Sequence, residues 1–237
     1  MAKSRNPRAA RRSRYQEKNE VNKLPDITFR TEKQRQFASS IRSNTLTFAL
    51  GSAGTGKTYI SVNVAARLLL EALEREGIHS DAKIICARPA VEACGERLGF
   101  LPGEAPDKVA PWAKIFYDEF EDCLGKGRTA DFLKSERISF VPLAYMRGRS
   151  FKNAIVILDE AQNTTPDQMK LILTRIGEGS KVIVDGDPEQ KGDISGRLGV
   201  LDALQRLENK HSVGVIRFTD DDVVRSPFVK MVLKAYR

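Results

Sequence analysis

Residues 46–58 read LTFALGSAGTGKT, an apolar run that breaks into eight residues, Gly51 to Thr58, of the form GxxxxGK[ST]. From Lys57 onward Ile60, Val64 and Leu68, with Ala65, Leu69 and Leu73 beside them, recur at helical spacing to about Glu76, where Gly77 ends the pattern. Strand, glycine loop and helix in that order describe a phosphate-binding loop. Gly51, Gly54 and Gly56 let backbone N–H groups turn inward, and Ser52, Ala53, Thr55 and Tyr59 complete the expected nucleotide contacts. Lys57 is expected to reach the outer phosphates and Thr58 to offer its hydroxyl to Mg2+, while the helix N-terminus adds partial positive charge.

The rest of the chain alternates in the same way. KIICA (83–87), ISFVPLA (138–144), AIVILD (154–159), KVIVDGD (181–187) and SVGVIRFT (212–219) are short apolar runs, and AIVILD is too continuous for a sheet with one wet face. Helical patterns lie between them. TPDQMKLILTRIG (165–177) has Thr165 as cap, Pro166 at the first helical position, Gln168 closing a capping box, and Met169, Ile172, Leu173 and Ile176 on one face. TEKQRQFASSIR (31–42) precedes the first strand, LGVLDALQRL (198–207) is helical, and a closing helix follows Ser226 and Pro227. This predicts an α/β domain over residues 25–237 with a mostly parallel central sheet flanked by helices. A Gly- and Pro-rich passage from Arg88 to Pro111 reads as a long loop with functional potential.

Net charge is +8, and residues 1–24 carry eight basic side chains against two acidic ones. With almost no large apolar residue before Leu24, this segment is expected to be a disordered basic arm, either bound to nucleic acid or simply solvated. No apolar run spans a bilayer and no signal-peptide pattern is present, so a cytoplasmic protein without a membrane partner is expected. The three cysteines, Cys86, Cys94 and Cys123, form no CxxC and read as buried or free thiols.

A phosphate-binding loop needs a carboxylate at the end of a neighbouring strand to hold Mg2+, and AIVILDE supplies Asp159. Glu160 follows, placed to orient or deprotonate an attacking water. Gln162 in DEAQN and Gln190 in GDPEQ are candidates to sense a γ-phosphate, GDPEQ being readable also as a polar turn. Arg147 and Arg149 of RGR, and Arg225 of DDDVVR, are candidate cations for phosphoryl transfer, although Arg225 has the acids Asp220 to Asp222 as alternative partners. Gln34 either reads an adenine edge or is an exposed helix residue without a role.

These motifs in this order resemble the PhoH family of P-loop ATPases, which looks related to the ATP-binding core of superfamily 1 helicases. The resemblance runs from about Thr28 to Tyr236 through GSAGTGKT, RPAVEACGERLGFLPG, PLAYMRGR, LDEAQNTTPDQMKLILTRIGEGSK, GDPEQ and DVVR. It departs from the family pattern at Ala93 and Cys94, in KGDISGR after Gln190, and at Ser226, where the family often has His. The resemblance implies a single RecA-like domain, ATP hydrolysis with Mg2+ and often a ring-shaped homo-oligomer; short chains of this kind also occur in bacteriophages, whose members would work in the host cytoplasm. One such lobe lacks the second that helicases close over ATP, so a neighbouring subunit is expected to supply an arginine in trans. The function expected is ATP hydrolysis coupled to single-stranded RNA or DNA, with unwinding less supported. The alternative is a slow nucleotide-dependent switch or assembly factor acting through protein partners.

Overall fold

The computed structural model describes residues 24–89, 111–148, 150–190, 196–226, 228–229 and 231–232. The arm at 1–23, most of the Arg88–Pro111 passage, Cys94 and Arg149 lie outside them. Six strands form one sheet: β1 (Leu46–Leu50), β2 (Lys83–Arg88), β3 (Ile138–Pro142), β4 (Ala154–Leu158), β5 (Lys181–Gly186) and β6 (Val213–Arg217). Their order is β3-β2-β4-β5-β1-β6 and every pairing is parallel. The α/β architecture expected from the alternation, a parallel sheet flanked by helices, is what the chain adopts.

Each strand feeds two cores because side chains alternate across a sheet. On one face Ala49, Ile84, Cys86, Ile157 and Ile183 pack under α1 (Glu32–Ser43), α2 (Lys57–Glu76) and α3 (Lys114–Leu124), with Phe37, Ile60, Leu69, Phe116 and Phe120 from the helices. On the other, Phe48, Leu50, Ile85, Val156, Leu158 and Val184 meet Met169 and Ile172 of α5 (Pro166–Leu173) and Val200 and Leu204 of α6 (Gly199–Leu207). Cys86 and Cys123 are free and buried, and burial pushes both thiols up, Cys123 to about 12. No described helix is long and apolar enough to cross a membrane.

Three details differ from the sequence expectation. A further helix, α4 (Lys126–Lys134), follows α3 after Gly125, whose positive φ of 81° turns the chain. Helix α5 stops at Leu173 rather than Ile176, because Ile176 forms a parallel bridge with Phe151 and the Phe151 N–H donates to the Arg175 carbonyl. And β4 is not beside β1: β5 lies between them. Of the closing segment, residues 228–229 and 231–232 are helical, with Phe228 and Met231 exposed.

The capping box at Thr165 is formed as expected: its hydroxyl accepts from the Gln168 N–H while the Gln168 side chain accepts from the Thr165 N–H. Thr165→Ala is expected to cost about 1 kcal/mol, a drop of about 2–4 °C in the thermal midpoint of a chain this size. An unchanged midpoint would mean that packing alone sets the start of α5.

Candidate nucleotide site

In a parallel sheet all strands present their C-terminal ends to one edge, and here β1, β2, β4 and β5 deliver the candidate residues there. The loop after β1 is bound on three sides. The Gly51 N–H donates to the Gly186 carbonyl of β5, the Val224 N–H donates to the Gly54 carbonyl, and the Gln34 amide donates to the Thr55 carbonyl at 2.9 Å. Glycine is required where φ is positive and space is filled. At Gly51 (φ +148°) a Cβ would lie 2.7 Å from Cβ of Phe218, and at Gly54 (φ +87°) one would lie 2.5 Å from Nε of Arg225.

Lys57 opens α2 and curls over this loop, its Nζ donating to the carbonyls of Gly51 at 2.6 Å and Ser52 at 3.0 Å. Burial lowers its pKa, opposed by the charges of Asp185, Asp187, Asp159 and Glu160. Thr58 is next in the helix and Tyr59 follows, its hydroxyl accepting from the Thr28 N–H at 3.1 Å. Asp159 follows β4, and its carboxyl is pushed up to about 6 by burial and then by the Glu160 charge. Glu160 stands at φ 53°, ψ 42°, a left-handed backbone uncommon for a residue with a side chain. Gln162 is buried; its amide donates to Glu160 and to Oε1 of Gln190 at 3.0 Å, and its carbonyl accepts from the Asp187 N–H at 3.0 Å.

Gln34 is a buried residue rather than an exposed one, and its carbonyl is also used, accepting from the Arg30 N–H at 2.8 Å. In this arrangement it buttresses the loop from the side of α1. Arg225 packs across the chain's own loop at Gly54. Arg147 is exposed beyond β3.

Two participants escaped the sequence reading. Arg88, the last residue of β2, donates from Nη2 to Oε1 of Glu160 at 3.0 Å. Asp185 of β5 is fully buried, its Oδ2 accepting from Ser61 Oγ at 2.7 Å while Oδ1 has no partner. Burial, reinforced by Asp159, pushes its carboxyl up to about 7. A signal existed for each: a charge closing one buried run and a charge inside another.

No group of three or more His, Cys, Asp or Glu side chains able to hold a metal occurs among the described residues. The Thr58 hydroxyl and the Asp159 carboxylate are nonetheless the oxygen donors that suit a Mg2+ held largely by phosphate and water. The glycine loop, with positive φ at Gly51, Gly54 and Gly56 and Lys57 beside it, has the make-up that suits a polyphosphate.

Such a cradle at the head of a helix, over the carboxylate edge of a parallel sheet, makes this a nucleotide-binding protein of the P-loop NTPase class. The PhoH-like protein family matches residues 26–237, and the chain belongs to that family. It is 44% identical over 226 residues to a PhoH-like protein of Bacillus subtilis, covering 94% of this chain and 68% of that protein. It is also 44% identical over 217 residues to protein PhoH of Escherichia coli, covering 89% of this chain and 58% of the relative. Among solved structures, the ADP complex of the large terminase from a thermophilic bacteriophage aligns with 87% of this chain and 50% of its own, at 13% identity and a TM-score of 0.48.

Proposed function

We propose that the chain hydrolyses ATP to ADP and phosphate with Mg2+, and that the nucleotide state alters its hold on single-stranded RNA or DNA. The observation that carries the hydrolytic part is Glu160, a second carboxylate at the loop's own edge of the sheet, directly after Asp159. A carboxylate so placed supplies the base that hydrolysis needs and binding alone does not. Lys57 would neutralise the outer phosphates, and Thr58 and Asp159 would hold Mg2+, which supplies charge to the phosphoryl oxygens. Glu160 would orient the water and take its proton as the bond from oxygen to the γ-phosphorus forms and the bond to ADP breaks. Gln162, already joined to Glu160, Gln190 and the Asp187 N–H, is suited to report the γ-phosphate to two strand ends.

The nucleic-acid part rests on the basic segment at 1–24. A homo-oligomeric ring with an arginine given in trans remains the proposal for completing the site. Arg147, exposed, is the better donor among the described arginines, since Arg225 is committed to its own loop. The test is ATP turnover at several protein concentrations, with and without single-stranded RNA, across a salt series. Specific activity rising with concentration, and RNA stimulation that fades as salt increases, are the expected results. Slow turnover indifferent to both would replace this reading with a nucleotide switch acting through protein partners.

A further inference from the structure

The carboxylate assigned above as the hydrolytic base is held on both sides. Oε1 of Glu160 accepts from Arg88, and Oε2 accepts from the buried amide of Gln162. The backbone fixes the first partner's approach. Strands β2 and β4 pair with Ala87 opposite Leu158, and the Asp159 N–H donates to the Ala87 carbonyl at 3.0 Å, so Arg88 and Glu160 leave adjacent strand ends together. Their side chains are only 25% and 31% exposed, so water screens this pair less than a surface pair. The second partner is fixed too, because Gln162 is bonded at once to Gln190 and to the Asp187 N–H.

Glu160 meanwhile sits in a left-handed backbone conformation, which persists when surrounding contacts over-determine it. Bonds to both carboxylate oxygens are such contacts. Were one of them to open, that oxygen would be available to a water molecule.

We infer that Arg88 is a positioning residue that holds Glu160 in a resting orientation, so that rapid ATP hydrolysis requires the Arg88–Glu160 ion pair to open. The anion that opens it is a phosphodiester of the bound single strand, a step that rests on the reading under Proposed function. Chemistry favours the exchange: Glu160 takes a single bond from Nη2, whereas a phosphodiester offers two oxygens to the planar guanidinium fork. Hydrolysis is thereby made conditional on the strand by one side chain at the end of β2.

The test is steady-state ATP hydrolysis by the full chain, with and without single-stranded oligo(U) RNA, for wild type, Arg88→Ala, Arg88→Gln and Arg88→Lys. Loss of the charge should raise kcat without RNA by about tenfold, the worth of one charge-assisted hydrogen bond, with KM for ATP unchanged and little further gain from RNA. Lysine keeps the charge and should restore most of the low basal rate. Adding Glu160→Gln to Arg88→Ala should abolish the raised rate. Either charge-removing variant serves if the other fails to fold. A kcat without RNA that is unchanged or lower, or a raised rate that survives Glu160→Gln, overturns the inference. If RNA leaves wild type unaffected while Arg88→Ala still raises the basal rate, the hold on Glu160 stands and the strand-coupled reading falls.

Discussion

Replacing Lys57 with alanine is expected to lower ATP turnover by a factor of about 10²–10³, the usual consequence of removing a preorganised charge from beside a developing one. The fold should survive. Nζ is bonded to two carbonyls of the loop it serves, and burial already lowers its pKa, so the ammonium group is held partly desolvated at some cost to stability. Removing it forfeits those two bonds and relieves that cost, which leaves little net change in the thermal midpoint. Lys57→Arg should fail nearly as badly, since a planar fork cannot take the place of a compact ammonium among the Gly51 and Ser52 carbonyls. Turnover and thermal unfolding measured on the same preparations decide it. Activity within about tenfold of wild type would remove Lys57 from phosphoryl transfer altogether.

Why some of this site could be read from sequence and some not follows from the range of the interactions. The loop, its strand and its helix are local, and β1 and α2 fall at the expected residues because apolar period and glycine position act over one turn or one strand. The same holds for the Thr165 capping box. Ile176 continues the apolar stripe of α5 and so extends the expected helix; a bridge to Phe151, 25 residues away, claims it instead. Gln34 and Thr55 are 21 residues apart, Arg88 and Glu160 are 72 apart, and Ser61 and Asp185 are 124 apart. Such partners are set by the strand order, and no spacing rule encodes an order in which β5 separates β4 from β1. Sequence therefore marks the chemistry at each strand end and leaves open which ends are neighbours.

The inserted strand β5 also carries the largest stability effect expected. Asp185 lies directly opposite Ala49 of β1, two residues before the loop begins, and Ser61 that meets it is one turn beyond Lys57 on α2. Its carboxyl is held at about 7 against an ordinary value of 3.8, chiefly by burial. Between those values the folded chain keeps a proton that the unfolded chain has lost, so stability falls as pH rises from about 4 to about 7, and the full cost is present above that range. Asp159, raised to about 6, adds to the same slope. By linkage the ceiling for Asp185 is about 4 kcal/mol. Asp185→Asn keeps an oxygen for Ser61 and removes the charge, but leaves a buried amide N–H unpaired where Oδ1 stands, which returns about 1–3 kcal/mol of that. The expected outcome is a net gain of about 1–3 kcal/mol at pH 8 that disappears or changes sign near pH 4. Urea unfolding at the two pH values measures it directly. A variant less stable than wild type at pH 8 would mean that Asp185 is ionised at no cost, compensated by Lys57 and Ser61. Its negative charge would then have to be counted among those that hold Lys57 in place.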